Sequence, residues 1–296
     1  MKKGNRVLTH GFVEKWKSAY REFYGYTQKG PFLLVPSLRG GITYSYLPGL
    51  TYSDMTREEV AEWRKQVQNE RYTIRVLDPE KERFEPNEPV TMRVSIEGLD
   101  QEGIVAQFHS TKRRNLRRSD ESDITVKIGM DAELMKDFYD LYTLTMYRLG
   151  TPPLAKGLFE TTARYVESEI AIAYVGTNPA AGLFIVYDEE IAWNPYAASD
   201  RTYADTFANE TLYRDAMFRA LEKGKAIFDC GRSPYGGGTY QFKKKMGAKP
   251  VGLAILKEKE ENIYAKYSRA AKMWQRLPKP VADFLGPKLR KYLADS

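Results

Sequence analysis

Residues 228–248 constrain this chain more than any other stretch. An apolar strand ending at Asp229 runs through Cys230-Gly231-Arg232-Ser233-Pro234-Tyr235. It then passes through three consecutive glycines, Gly236, Gly237 and Gly238, into a short helix carrying Tyr240, Phe242 and Lys243. Glycines let backbone N–H groups approach an anion, and a helix start favours negative charge. Arg232 and Lys243 would flank such a pocket. The same composition also describes a plain loop with solvated lysines, and spacing alone leaves both readings open.

The flanking pattern places this stretch in a mixed α/β fold. Ile170, Ile172 and Tyr174 alternate with alanines, Asn178-Pro179 is read as a turn into 182–187, and Asp188-Glu189-Glu190 turns the chain into 191–196. That is an antiparallel meander. A helix is expected over 209–223, with Leu212, Ala216, Met217, Ala220 and Leu221 inward and Gly224 as its stop. Before the meander, a strand over 125–128 leads to a helix capped by Asp131, which ends near Gly150 and Pro152-Pro153. Another helix lies near 158–166, and a strand over 251–256 closes the pattern. The order resembles an acetyltransferase-like α/β unit. The first third reads as a second mixed unit. It has a helix over 13–24 with Trp16 and Tyr20 on one face, strands over 32–35 and 42–46 joined at Gly40-Gly41, a helix from the Thr56/Glu59 capping box to about Asn69, and strands over 72–76 and 90–94.

Composition narrows the class. Hydrophobic residues at 42% can fill a core, and no apolar run is long enough to span a bilayer. The basic start lacks the apolar stretch of a signal peptide. One cysteine permits no internal disulfide, which suits the cytoplasm. Two histidines and that cysteine are too few for a structural zinc site, so no metal is expected. The net charge of +7 equals the excess over 262–293, where eight basic residues face one acid. Interleaved with Tyr264, Tyr267, Trp274, Phe284 and Leu289, that charge suits an anionic lipid surface or a polyanion such as RNA. A solvated helix face packed on the body is the alternative.

The stretch 228–248 resembles the signature of Fem-type (FemABX-like) peptidoglycan bridge-forming aminoacyltransferases and their acetyltransferase-like relatives. The match is carried by Phe228-Asp229, Gly231-Arg232-Ser233, Gly238-Thr239-Tyr240, Phe242-Lys243 and Gly247-Ala248. Other segments agree in order: 110–118 with the family's basic helix, 142–153 with its Arg-containing segment, and Tyr196, Ser199, Asn209 and Leu212-Tyr213 with its next run. Trp274 to Pro278 and Leu285-Gly286-Pro287 are similar to the ending of a subgroup associated with exopolysaccharide systems. The similarity covers about 105–290.

The resemblance implies an α/β fold with two acetyltransferase-like domains and a helical tail, divided at 1–123, 124–257 and 258–296. It implies an acyltransferase that moves an aminoacyl group from aminoacyl-tRNA, or another acyl group, to an amine or hydroxyl of a cell-envelope peptide or saccharide precursor, lipid-linked or nucleotide-linked. Two alternatives remain: an acyl-CoA- or acyl-carrier-dependent N-acyltransferase, and non-enzymatic lipid or nucleic-acid binding through the tail. No tightly bound cofactor is implied; aminoacyl-tRNA or acyl-CoA is a co-substrate. The expected location is cytoplasmic, at the inner face of the membrane.

Carried over by position, Lys243 matches the lysine beside the acyl donor and is the catalytic candidate. Arg232, Gly236, Gly237, Gly238, Tyr240 and Phe242 form the donor site. Arg148, Lys112, Arg113 and Asn209 would hold the acceptor and its phosphates. The family's first-helix tryptophan matches Trp16, with Tyr20 where the family carries a basic residue and Lys17 and Arg21 beside it. Met246 stands where an aromatic is usual.

The chemistry requires no nucleophilic triad. An amine attacking an activated ester needs orientation, loss of a proton and oxyanion stabilisation. Lys243 is the candidate for that oxyanion, or for a ribose or phosphate of the donor. Asp229 is either a base or, as a carboxylate at a strand end, a group that orients Arg232 or caps the next turn. Cys230 is either an acyl carrier or a small buried hydrophobe. The helix carrying Lys112 and Arg113 binds RNA backbone, binds acceptor phosphates, or pairs with Asp120, Glu121 and Asp123.

Overall fold

The computed structural model describes residues 7–38, 40–47, 55–66, 71–120, 123–257 and 270–293. The chain divides into two compact units that interleave along the sequence. The first contains Asp78–Leu144 and Glu167–Gly252; the second contains Val7–Leu77, Thr145–Val166 and the chain from Leu253 onward.

In the first unit the strands are β5 (Pro89–Ser95), β6 (Ile124–Gly129), β7 (Ser168–Val175), β8 (Asn178–Tyr187), β9 (Ile191–Ser199), β10 (Ile227–Pro234) and the first residues of β11 (Lys249–Lys257). Their order is β11-β5-β10-β9-β8-β7-β6. The expected meander is β7-β8-β9, each pair antiparallel. Its first turn falls at Gly176 and Thr177, not at Asn178-Pro179. Gly176 takes φ +60°, which a glycine adopts without strain, so it supplies the turn. Pro179 then sits at the start of β8, where a missing N–H is tolerated.

The β9–β10 pair is parallel, so its connection must cross a face of the sheet. Helix α7 (Ala208–Glu222) makes that crossing, preceded by a 3-10 turn over Arg201–Thr206. Leu212, Tyr213, Ala216, Met217 and Ala220 recur at helical spacing, and all are buried. They pack in one core with Val90, Met92 and Val94 of β5 and with Phe228 and Cys230 of β10. Each large side chain buried there contributes about 1.5–3 kcal/mol. Helices α3 (Gln101–Ala106), α4 (Ser110–Asp120) and α8 (Gly238–Lys245) complete this unit. The helix capped by Asp131, α5 (Ala132–Leu149), contributes residues to both units; Asp131 Oδ1 accepts the Leu134 N–H at 2.8 Å.

The second unit holds α1 (His10–Tyr24), β1 (Thr27–Lys29), β2 (Phe32–Pro36), β3 (Ile42–Ser45), α2 (Arg57–Gln66), β4 (Arg71–Asp78) and α6 (Lys156–Tyr165). Strands β2 and β3 form the hairpin expected around Gly40-Gly41, and β3 runs parallel to β4, with α2 between them in sequence. Thr56 and Glu59 form the reciprocal capping box. The expected extension of α2 toward Asn69 lies outside the described residues. Helix α9 (Lys279–Arg290) belongs to this unit, beginning after Pro278. The tail residues Tyr264, Lys266, Tyr267 and Arg269 lie outside the described residues.

No helix among the described residues is long and apolar enough to cross a membrane.

Candidate functional site

The site begins where two parallel strands stop pairing. Strands β9 and β10 are in register over Ile191↔Ile227, Ala192↔Phe228 and Trp193↔Asp229. Beyond that point β10 continues against β5 and β9 continues against β8. A bulge in β10 between Asp229 and Arg232 accompanies the parting. Bulges bend a strand and re-aim its side chains, and they recur beside active sites. Gly231 makes this one sterically feasible, with φ +75°.

A buried polar set fixes the bulge. Asp229 is fully buried and accepts from Thr91 Oγ1 at 2.6 Å, Arg93 Nε at 2.8 Å and the Gly231 backbone N–H at 2.9 Å. It therefore caps the next turn, as one reading of a strand-end carboxylate anticipated, and it pairs with Arg93. Burying an ion pair is tolerable only when the remaining polar atoms also find partners, and the hydroxyl and the amide meet that need here. Thr91 and Arg93 escaped the sequence reading. Their signal was the alternation Val90-Thr91-Met92-Arg93-Val94, which puts two polar side chains on one face of β5.

Lys243 projects from α8 toward the same bulge. Its Nζ donates to the carbonyl of Gly231 at 3.1 Å and of Arg232 at 3.0 Å. The side chain is buried, and burial lowers its pKa to about 8. The ammonium thus grips the backbone of the bulge from behind. Cys230 beside it is buried too, and burial pushes its thiol up to about 12, which keeps it protonated and unreactive. That burial favours the reading of Cys230 as a small hydrophobe.

The glycine-rich stretch is a built turn and not a loose one. Tyr235 donates its N–H to Glu88 O at 2.8 Å and accepts from the Asn87 N–H at 2.9 Å. Its ring packs on Phe84 at 5.2 Å and on Tyr240 at 4.8 Å between centroids. Gly236 and Gly238 have open space where a Cβ would stand, so their backbone is accessible from outside. Arg232 is exposed on the same segment. Phe242 packs edge-on against Tyr213 at 5.3 Å. Met246, in place of the usual aromatic, is fully buried in the core.

Two further polar atoms bear on what could bind here. Asn194 follows the last residue of β9 that pairs with β10 and is buried; its Nδ2 donates to Tyr213 Oη at 3.2 Å. The Asn194 Oδ1 and Ser233 Oγ atoms are buried with no hydrogen-bond partner among the described residues. Buried polar atoms are rarely left so, and a ligand's polar groups are one way to satisfy them.

The expected acceptor residues fall in both units. Lys112 pairs with Glu210 at 2.6 Å and lies 4.3 Å from the Phe242 ring centroid, and Asn115 also donates to Glu210, at 3.2 Å. That partner is Glu210, not the nearby acids expected from sequence; Asp120 pairs with Arg214 at 2.9 Å, and Glu121 lies outside the described residues. Arg113 donates to the Ala106 and Phe108 carbonyls and so closes the end of α3. Asn209 is half-buried near the start of α7. Arg148 belongs to the second unit, where its carbonyl accepts from Gln275 Nε2 at 2.6 Å. In that unit Trp16 and Tyr20 are buried in the core, Lys17 is fully buried against Glu14 at 2.7 Å and over the Tyr46 ring at 3.8 Å, and Arg21 Nη2 donates to Ser18 Oγ at 2.8 Å.

Residues 106–244 match the family model described as an acetyltransferase (GNAT) domain. No curated protein matches the chain in sequence. Among solved structures, FemX superposes with a TM-score of 0.56 at 13% identity, covering 84% of this chain and 91% of FemX. L-PGS from Bacillus licheniformis gives 0.52 at 13% identity, covering 89% and 97%. The C-terminal domain of a protein described as a lysylphosphatidylglycerol synthetase from Agrobacterium fabrum gives 0.55 at 11%, covering 88% and 95%. Residues 106–244 are thus similar to an acetyltransferase (GNAT) domain, and the chain has the mixed α/β fold that FemX also shows.

Proposed function

We propose that the chain transfers an aminoacyl group from aminoacyl-tRNA to an amine or hydroxyl of a cell-envelope precursor, working close to the inner face of the membrane. The observation that carries the reading is the parting of β9 and β10 shortly before the open backbone of Gly236 and Gly238. In this reading the acyl carbonyl lies where the strands part, with Ser233 Oγ as a donor to it and Asn194 Oδ1 as an acceptor for an amino group; both atoms are buried without a partner among the described residues. The donor's phosphate or ribose fits over the glycines at the start of α8, with Arg232 at the edge.

In this reading the acceptor nucleophile attacks the ester carbonyl to give a tetrahedral oxyanion; its collapse breaks the C–O bond to the tRNA ribose, whose oxygen takes up a proton from solvent as the nucleophile's proton leaves to solvent. The protein supplies orientation and donors for the oxyanion, not a covalent intermediate. Lys243 acts as a positioning residue, since its ammonium grips the carbonyls of Gly231 and Arg232 and so sets the aim of the bulge. Tyr240 and Phe242 hold the turn in place through their ring contacts. The names FemX and lysylphosphatidylglycerol synthetase support an envelope acceptor for this fold.

The match to an acetyltransferase domain favours a second reading in which the donor is acyl-CoA in the same slot. Incubation with radiolabelled aminoacyl-tRNA or with radiolabelled acyl-CoA, together with an extract of envelope precursors, separates the two. We expect label in the precursor fraction from aminoacyl-tRNA, lost after RNase treatment. RNase-resistant transfer from acyl-CoA would establish the second reading, and no transfer from either donor would overturn both.

A further inference from the structure

The last described segment of the second unit is fixed on one face and unoccupied on the other. In α9, Ala282, Gly286 and Arg290 are buried. A Cβ on Gly286 would fall 2.3 Å from Pro153 Cδ, so that face of the helix sits directly on the unit. Tyr26 Oη donates to the Lys291 carbonyl at 2.5 Å just beyond the helix end, and Trp274 is buried just before its start. Val281, Phe284 and Lys288 recur at three- and four-residue spacing, which sets them together on the opposite face. Phe284 is 64% exposed, Val281 41%, and Met273 on the preceding helical turn 69%.

A single exposed Phe on a protein surface needs no explanation. This one has cationic surroundings. Residues 270–293 contain six basic side chains and one acid, Asp283, which pairs with Lys279 at 2.5 Å. Lys272, Arg276 and Lys288 are exposed, and Lys288 Nζ lies 3.6 Å from the Phe284 ring centroid. Exposed apolar side chains ringed by long basic ones can insert the former below the headgroups while the ammonium groups remain among the lipid phosphates. RNA backbone would use the charges but would leave Val281 and Met273 in water.

We propose that the exposed side of residues 270–293 is a docking surface for an anionic lipid bilayer, with Phe284 and Val281 of α9 and Met273 of the preceding turn inserting and Lys272, Arg276 and Lys288 on the headgroups. The proposal deepens the reading of an enzyme working near the membrane, and its test does not depend on transfer. The full chain is sedimented with vesicles of phosphatidylcholine alone and of equal parts phosphatidylcholine and phosphatidylglycerol. Binding is expected to the mixed vesicles, with little to the neutral ones, and should weaken as salt rises. Phe284→Asp should weaken it about tenfold, and each of Lys272→Glu and Arg276→Glu at least about fivefold. A thermal melt of each variant verifies the fold, and transfer measured without vesicles should be unchanged in all three. Absence of wild-type binding to the anionic vesicles, or full binding by Phe284→Asp, would overturn the proposal. So would a wild-type dimer in solution that Phe284→Asp dissociates, since a second copy would then be the occupant. Lipid binding without any transfer would sink the functional reading and leave this one standing.

Discussion

Gly231 and Asn194 approach more closely than any side chain would permit: a Cβ on Gly231 would fall 2.5 Å from the Asn194 carbonyl oxygen. The contact lies where β9 and β10 part, and Gly231 holds φ +75° there. Gly231→Ala therefore meets both a backbone clash and a strained dihedral. We expect a loss of about 1–3 kcal/mol of stability from the strain, a lowered Tm and loss of transfer. Gly238→Ala is the control, because nothing lies within 4 Å of its Cβ position; its Tm should stay close to wild type. Melting curves of the two variants check the contrast.

Arg93 and Asp229 form a buried ion pair whose partners cannot be removed singly without cost. Asp229→Ala removes the carboxylate that Arg93 Nε pairs with at 2.8 Å, and also frees Thr91 and the Gly231 N–H. The expected loss is about 3–5 kcal/mol. Asp229→Asn retains an acceptor for Thr91 and should lose less. Urea titration measures both; equal midpoints for Asp229→Ala and the wild type would show that the pair does not hold the bulge.

Lys243 makes the stability pH-dependent in a direction opposite to most lysines. Its pKa is lowered to about 8 by burial, against about 10.5 for an unfolded lysine. Between those values the unfolded chain binds more protons than the folded one, so stability rises with pH across that window. Below pH ~8 both states are protonated, and the folded state bears the full cost of a buried ammonium. Relative to Lys243→Met, which does not titrate, the wild type should gain up to about 3 kcal/mol on going from pH 8 to 10.5. Unfolding both proteins across that range reads the difference. In activity, the wild type should show an inflection near pH 8 that the Met variant lacks; an unchanged pH profile would confine Lys243 to holding the fold.

Much of the first unit was legible because its strands and helices carry regular apolar spacing. The stripe Leu212, Ala216, Met217, Ala220 of α7 announces one helix and its buried face, while the alternation in β7 announces a strand but not its burial on both faces. The polar support of the site was not legible for the same reason. Thr91 and Arg93 alternate with valines and a methionine, a pattern that elsewhere means solvent on the polar side, yet both are buried against Asp229. Only tertiary pairing, which joins residues 138 and 136 positions apart, supplies that information. The turn at Gly176 was misplaced by two residues because Asn178-Pro179 is the stronger local turn signal, whereas the register of β7 against β8 decided the matter.

Lys112 provides the sharpest test of whether a basic residue in the family's motif helix serves the ligand or the fold. Its side chain is 12% exposed and that of Glu210 8%, so the pair is screened from water. Lys112→Met alone would leave Glu210 buried with only Asn115 as partner, and Glu210→Gln alone would leave the ammonium against the Phe242 ring. Each single change should cost a few kcal/mol, and the double variant should cost less than their sum by about 1–3 kcal/mol, because the stranded charge is then gone. Chemical denaturation of the four proteins closes the cycle. The same four proteins divide the roles further. If Lys112 is purely structural, the folded double variant should transfer at nearly the wild-type rate. If it also contacts acceptor phosphates, the double variant should fold normally yet need about tenfold more acceptor, since a charge-assisted contact is worth about 1.5–3 kcal/mol. Glu210 gives the reason to expect the structural outcome, since a carboxylate at 2.6 Å already occupies the position a phosphate would take.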